Sequence, residues 1–144
     1  MNNEHFYENR VSWTESRRGI LSEPTLPDIE VATPPEFPKG IPNIWSPEHL
    51  FVASVNVCLM TTFLSIAENS KLNFLSFSCK AKGKLEKVDN IFMISEIELI
   101  PEIIVKAEKD IERADRIIKK SEYHCLISNS VKTKIILSPK INLG

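Results

Sequence analysis

The longest apolar segment of the chain is the uncharged stretch from Leu50 to Ala67, and it predicts a buried helix. Ser46 is a favourable N-cap residue, Pro47 suits the first helical position, and Glu48 puts negative charge at the positive end of the helix dipole. We expect the helix to run to about Asn69. Apolar residues surround its axis almost completely, so the other elements are expected to pack against it.

One face of this helix differs from the rest. Small polar residues recur there at helical spacing, namely Ser54, Cys58, Thr61 or Thr62, and Ser65. A plain hydrophobic core does not need such a stripe.

The region after the helix predicts a hairpin. The segment from Asn73 to Leu85 alternates with a period of two, which is typical of a strand. Its apolar face would hold Leu75, Phe77, Cys79, Ala81 and Leu85. Val88-Asp89-Asn90 predicts the turn, and Ile91 to Ile100 predicts the returning strand, which Pro101 should disturb or end.

The C-terminal third predicts a second helix and a closing strand. Ala107 to Lys120 is amphipathic, and its inward positions would be Ala107, Ile111, Ala114 and Ile118. Cys125 follows the end of this helix. Cys125 to Val131 predicts a short helical turn, and Lys132 to Leu137 predicts the last strand.

The N-terminal region predicts short strands and irregular structure. Phe6 to Trp13 and Gly19 to Leu21 are strand candidates, with Ser16-Arg17-Arg18-Gly19 as the turn between them. Seven of the nine prolines lie between Pro24 and Pro47, so that region must be strand edge or loop.

These elements predict an α+β fold rather than alternating βαβ units. The length of 144 residues fits a single domain spanning residues 1–144. One sheet can shield only one side of an apolar helix, so we expect a partner chain to cover the other side.

Composition excludes several classes of function. The formal net charge is -1, and basic and acidic residues are interleaved, as from Glu108 to Lys120, so no basic patch for nucleic acid is expected. Met1 to Trp13 is polar and lacks the apolar core of a signal peptide, which predicts a cytoplasmic protein. Polar residues within Leu50 to Ala67 favour a core helix over a membrane span.

Three cysteines are too few for a disulfide scaffold, so their positions or reactivity must matter. A cysteine inside a buried helix, such as Cys58, usually acts as a small hydrophobe, and the same interpretation fits Cys79 on its strand. His5, His49 and His124 show no metal-ligand spacing, although His124 adjoins Cys125. We therefore expect no metal site and no bound cofactor.

A reactive thiolate would need a positive neighbour, and Arg17 and Arg18 beside Gly19 could supply one, although exposed turn charge explains them equally well. Glu48 stands ten residues before Cys58 on the same predicted helix. That spacing is about 15 Å of helix rise, too far for the two to share one site directly. Any role of Glu48 beside Cys58 would therefore come from a second chain.

The string Ser46-Pro-Glu-His-Leu through Cys58 resembles the Asn-Pro-Glu-x-Leu...Cys signature of the OsmC/Ohr family, the osmotically inducible and organic hydroperoxide resistance proteins. Cys125 with Ser128 is the second matching piece, and the element order also agrees. Departures are Ser46 for asparagine, Leu126 where many members have proline, and Lys39 as the only basic residue in the loop before the helix.

This resemblance implies antiparallel sheets packed around a long central helix in an intertwined homodimer. It implies a thiol peroxidase for organic hydroperoxides, in which Cys58 attacks the peroxide and Cys125 resolves the product as a disulfide. Glu48 and an arginine would assist, with Arg18 favoured slightly over Arg17. The reductant would be an external dithiol, either a lipoyl-bearing protein or a small thiol. A non-catalytic binding module and a thiol redox sensor are the alternatives.

Overall fold

A computed structural model describes residues 3–144 as two compact units, residues 3–50 and residues 51–144. Strands and helices are segregated along the chain as expected, which confirms the α+β class. In chain order the elements are β1 (Arg10–Glu15), β2 (Arg18–Glu23), β3 (Leu26–Ala32), α1 (Pro47–Asn69), β4 (Phe74–Val88), β5 (Ile91–Val105), α2 (Lys109–Tyr123), a 3₁₀ turn (Ser128–Ser130), β6 (Lys134–Leu137) and β7 (Lys140–Leu143).

The first unit contains an antiparallel sheet in the order β1-β2-β3. The expected turn at Ser16–Gly19 is wrong in extent, because Arg18 already pairs with Glu15 and only Ser16 and Arg17 form the turn. Ser16 adopts a left-handed backbone conformation, with a φ of 50°. This conformation lets the chain reverse within a two-residue turn, shorter than the turn predicted. Phe6 to Asn9 are not strand, and the proline-rich region does contribute the edge strand β3.

Helix α1 begins and ends where the sequence predicts. The Ser46 Oγ accepts the backbone N–H of His49 at 3.2 Å, and the Ser46 N–H donates to the His49 Nδ1 at 3.1 Å. These reciprocal bonds have the form of a capping box, with histidine in the place of the usual glutamate. At the other end Lys71 is left-handed, with a φ of 55°, which stops the helix after Asn69.

The core of the second unit lies between one face of α1, the β4–β5 sheet and α2. Phe63 is fully buried there and its ring stacks on that of Phe77 at 4.9 Å. The core residues are Val55, Leu59, Phe63, Ala67, Leu72, Ile97, Leu99, Ile103, Val105, Ala114, Ile117 and Ile118. On the opposite face of α1, Val57, Met60 and Leu64 remain exposed. The chain's own sheet therefore covers only part of this apolar helix.

The hairpin of β4 and β5 turns on Asp89 and Asn90, whose φ angles of 52° and 65° fit a two-residue turn matched to the twist of the strands. The expectation that Leu75 faces the core is wrong, since Leu75 is exposed. A register shift between Phe74 and Ser76 displaces the alternation by one residue at this point.

Strand β5 continues through Pro101 to Val105, contrary to the expectation that proline would disturb or end it. Leu99 offers its carbonyl to the side of β6 and β7, where Ser138 donates to it at 2.8 Å. Two residues further along, the nitrogen of Pro101 faces the same side. It falls opposite the gap between β6, which pairs with residues 96–99, and β7, which pairs with residues 102–105. No ladder hydrogen bond is lost there.

The second sheet is mixed rather than purely antiparallel, because β6 and β7 both run parallel to β5. Helix α2 starts at Lys109, two residues later than predicted, so Ala107 precedes the helix while Ala114 and Ile118 are buried as expected. It also extends to Tyr123. The short helical turn after Cys125 is present as Ser128–Ser130, and β7 was not predicted.

Helix α1 is the one helix of residues 3–144 that is long and apolar enough to cross a membrane by length and composition. Core helices of soluble proteins pass the same test, and the buried side of α1 packs in the core described above.

Candidate active site

The thiols of Cys58 and Cys125 lie close enough together that each shifts the pKa of the other. Cys58 is in the middle of α1, and Cys125 follows the end of α2, so the packing of two helices brings together residues far apart in the sequence. Both cysteines are buried, and both are free thiols. The third cysteine, Cys79, lies on β4.

Cys58 is placed to hold a negative charge. Burial opposes its ionisation, but hydrogen bonds from the Cys125 thiol, the Ile127 backbone, the Thr62 hydroxyl and the Leu126 backbone outweigh burial and lower its pKa. The Thr62 Oγ1 is 3.9 Å from the Cys58 Sγ, which gives the polar stripe of α1 a role. A proline at position 126 would have no N–H, so leucine there leaves the site one additional donor.

Cys125 is shifted in the opposite direction. Burial raises its pKa first, and the neighbouring Cys58 raises it further, because Cys125 holds its proton while donating to the Cys58 sulfur. The hydroxyl and backbone of Ser128 partly offset these effects. The two thiols thus divide into one that ionises readily and one that stays protonated.

Cys79 has neither property. It is half-buried against the core, and burial raises its pKa to about 11, with Glu122 adding to the increase. The interpretation of Cys79 as a packing residue agrees with this position. Thiolate is the reactive form of cysteine, so Cys79 provides an internal control for the other two.

We expect Cys125→Val to raise the pKa of Cys58, because valine fills similar space but donates no hydrogen bond to the thiolate. Alkylation of Cys58 by iodoacetamide at neutral pH should slow by about tenfold, the value of one charge-assisted hydrogen bond. The pH profile of alkylation, followed by mass spectrometry of the Cys58 peptide, measures the shift. Cys79→Ala should leave the profile unchanged, and an unchanged profile in Cys125→Val would contradict the assigned contact.

Arg17, Arg18 and Glu48 line one cavity of about 670 Å³ in the first unit. Its remaining walls are mostly apolar and include Val11, Trp13, Leu21, Val31 and Phe37. A cavity that is lined mostly by apolar side chains and by a few charged groups suits a small amphipathic ligand.

The two arginines of this cavity differ in their surroundings. Arg18 lies on β2 and its Nη1 forms an ion pair with the Glu30 Oε1 on β3 at 3.0 Å, with both side chains partly exposed. Arg17 lies in the turn, is exposed, and has no ion pair within residues 3–144. Its backbone carbonyl accepts the N–H of Thr33 at 3.2 Å. Arg17 therefore has the freer guanidinium, whereas the sequence slightly favoured Arg18.

Glu48 lies in the first turn of α1, and one oxygen of its carboxylate is unpaired among the described residues. Its Oε1 is buried and has no hydrogen-bond partner in the described part of the chain. A buried carboxylate oxygen of this kind is costly unless something donates to it. The oxygen is therefore available to a donor from a ligand or a second chain.

Phe51 borders a smaller cavity of the second unit, of about 350 Å³, together with Met93, Ile94 and Val131. Over residues 3–144, no group of three or more His, Cys, Asp or Glu side chains is arranged to hold a metal ion.

Sequence reasoning missed Glu122, which lies in the last turn of α2 close to Ser128. Burial raises its pKa, and its Oε2 is buried without a hydrogen-bond partner in the part of the chain described. A signal was available, because an acidic residue in the last turn opposes the negative end of the helix dipole.

The comparisons with known proteins agree with this fold. A family model for OsmC-like proteins matches residues 40–140. An OsmC-like protein of unknown function from Vibrio cholerae has a TM-score of 0.83 at 22% identity, over 93% of this chain and 99% of that one. An organic hydroperoxide resistance protein from Elizabethkingia anophelis has a TM-score of 0.76 at 23% identity, over 98% and 99%. The uncharacterized protein YmaD of Bacillus subtilis is 22% identical over 100% of this chain and 99% of its own length.

The chain belongs to the OsmC-like protein family. Membership supports a redox or peroxidase-like function in general. Proteins of this family are soluble, typically homodimeric, and in general cofactor-free and cysteine-based.

Proposed function

We propose that this protein is a thiol-dependent peroxidase that reduces organic hydroperoxides to alcohols. The observation that carries the proposal is the contact between Cys58, whose pKa is lowered, and Cys125, which stays protonated beside it. A nucleophilic thiolate and a second thiol within reach are the two groups that a peroxidase of this type needs.

The reaction has three steps. The Cys58 thiolate attacks the outer oxygen of the hydroperoxide, the O–O bond breaks, and the departing alkoxide takes a proton from solvent to become the alcohol. Cys58 is then a sulfenic acid. Cys125 attacks that sulfur, releasing water and forming the Cys58–Cys125 disulfide. An external dithiol, from a lipoyl-bearing protein or a small thiol, reduces the disulfide by exchange and is itself oxidised.

We assign substrate binding to the cavity of the first unit. Its apolar walls suit the organic part of a hydroperoxide, and a guanidinium suits the peroxide oxygens and the developing negative charge. Glu48, whose Oε1 lacks a donor, would orient the arginine or accept a hydrogen bond from the hydroperoxide O–H.

We further propose that the active form is a homodimer in the cytoplasm. The exposed apolar side chains of Val57, Met60 and Leu64 on α1 support a covered helix face. Residues of both subunits would then contribute to each site, because Glu48 and Cys58 of one helix are too far apart to act on one peroxide.

Turnover by the wild-type protein tests the proposal. Cumene hydroperoxide and hydrogen peroxide should each be supplied with dithiothreitol, and consumption followed by a colorimetric peroxide assay. We expect steady consumption of cumene hydroperoxide at a much higher kcat/KM than hydrogen peroxide. Absence of turnover with either peroxide would end the proposal, and a single oxidation without turnover by dithiols would favour a redox sensor instead.

The two arginines can be separated by Arg17→Met and Arg18→Met. Replacement of the arginine that contacts the peroxide should lower kcat/KM by about 100-fold, because the variant no longer stabilises the charge of the transition state. Replacement of the other arginine should have little effect on kcat/KM. If that other arginine is Arg18, loss of its ion pair with Glu30 should alter only the stability of the fold. Equal, small effects of both substitutions would remove arginine from the proposed mechanism. Lys39→Met in the nearby loop is the matched control.

A further inference from the structure

Two polar residues, Glu122 and Ser128, lie three positions before and three positions after Cys125, and the Cys125 N–H donates to the Glu122 carbonyl at 3.1 Å. Ser128 lies one helical turn beyond Cys125, and its hydroxyl is close enough to lower the pKa of Cys125. The same hydroxyl lies close enough to Glu122 to lower the pKa of that carboxyl against the effect of burial. Ser128 therefore lies close to both a thiol and a carboxyl group.

These groups are not held in a static hydrogen-bonded network. The Ser128 Oγ and the Glu122 Oε2 are both buried, and neither has a partner at hydrogen-bonding geometry within residues 3–144. A buried polar atom without a partner calls for an explanation, and a catalytic role is one, because contacts in unliganded sites often tighten only during the reaction.

The Ser128 hydroxyl has two neighbours that can become anions, the Cys125 thiol and the Glu122 carboxyl group. A serine hydroxyl can accept a hydrogen bond and donate one at the same time, but it has only one proton to donate. It can stabilise a Glu122 carboxylate or a Cys125 thiolate, not both. Ionisation of Cys125 is therefore favoured when Glu122 takes up a proton, and the hydroxyl between them reverses direction.

We propose that Glu122 accepts, through the Ser128 hydroxyl, the proton that Cys125 loses when it attacks the oxidised Cys58. This inference rests on the proposed function for its biological setting, although the proton transfer itself requires only an oxidised Cys58. In this scheme Ser128 takes the proton directly from the reacting Cys125 sulfur, whereas Glu122 acts on that sulfur only through Ser128.

The step balances as follows. Cys125 passes its proton to the Ser128 oxygen while the original Ser128 proton moves to the Glu122 carboxylate. The Cys125 sulfur then forms the S–S bond, and the hydroxide of the Cys58 sulfenic acid leaves as water with a proton from solvent. Glu122 returns its proton to solvent afterwards, so no net proton is gained or lost.

The titratable group that faces Glu122 from strand β4 is Cys79, and the Glu122 carboxylate raises the pKa of its thiol. With a pKa of about 11, Cys79 is neutral at physiological pH and does not compete for the proton. Burial raises the pKa of Glu122 itself, which makes its carboxylate a stronger base than an exposed one.

Disulfide exchange tests the relay without any peroxide. In a Cys79→Ala background, 4,4′-dithiodipyridine should react first with the Cys58 thiolate, releasing one thiopyridone and leaving a mixed disulfide. Cys125 then attacks that disulfide and releases a second thiopyridone. Stopped-flow absorbance resolves the two phases, and the second phase reports the step assigned to Glu122.

For Glu122→Gln we expect an unchanged first phase and a second phase slower by about a hundredfold at neutral pH, the lower end of what a positioned general base contributes. The deficit should shrink as pH rises, because hydroxide then ionises Cys125 without help. Ser128→Ala should show the same deficit, and the double variant should be no slower than either single variant. Glu112→Gln, an exposed glutamate on the same helix, should match the wild type.

A second phase at the wild-type rate in Glu122→Gln would overturn the inference. So would a deficit that stays constant from neutral to alkaline pH, since that result indicates a distorted structure rather than a lost proton acceptor. The first phase checks that the Cys58 site is intact in each variant. Because the exchange needs no peroxide, these rates judge the relay separately from the hydroperoxide assay.

Discussion

Replacement of Cys58 by serine is expected to reduce hydroperoxide consumption by about a thousandfold or more, to the rate of the buffer and dithiol alone. Serine keeps the size and can keep the hydrogen bond to Thr62, but its hydroxyl does not ionise near neutral pH and is a weak nucleophile toward peroxide oxygen. The measurement is the initial rate of cumene hydroperoxide loss with dithiothreitol.

Cys79→Ser is the matched control for that variant, because it removes a cysteine from the same unit. With a pKa of about 11, Cys79 contributes almost no thiolate at neutral pH, so the rate should stay close to that of the wild type. If the two variants lost activity equally, the assignment of Cys58 as the peroxide-attacking nucleophile would be refuted. Far-UV circular dichroism of both variants separates lost chemistry from lost folding.

Local signals in the sequence were sufficient for most of the fold. The bounds of α1 followed from Ser46, Pro47 and an uncharged apolar run, since a cap and a buried face are set by residues close in sequence. The failures arose from long-range pairing. Leu75 is exposed because of a register shift against β5, and Pro101 is tolerated because two parallel strands leave a gap opposite it. Neither arrangement is encoded locally.

The site was predictable only in part. Periodicity identified the polar stripe around Cys58, but its link to Cys125 came from resemblance to a family, because no spacing rule relates a residue within one helix to a residue that follows another. The ion pair between Arg18 and Glu30 depends on the register of β2 and β3, which the sequence did not specify. Glu122 was overlooked because it resembles the other charged residues of an amphipathic helix, and its unfavourable place at the negative end of the helix dipole is a weak signal beside its burial.

Serine at position 125 is expected to leave the first oxidation intact and to block resolution. The Cys125→Ser protein should consume about one equivalent of hydroperoxide per site without added thiol, as the wild type does. The wild type should then contain a Cys58–Cys125 disulfide, whereas the variant should hold a Cys58 sulfenic acid that dimedone traps. Intact mass and peptide mapping distinguish the two products.

The same variant should lose activity during turnover. A sulfenic acid with no resolving thiol remains exposed to a second hydroperoxide, and its further oxidation to sulfinic acid is irreversible for ordinary dithiols. With excess cumene hydroperoxide, the rate of Cys125→Ser should decay while Cys58 gains two oxygen atoms by mass, and the wild type should continue. A variant that turned over without decay and never accumulated sulfenic acid would show that Cys125 is not the resolving residue, and the contact between the two thiols would then need another explanation.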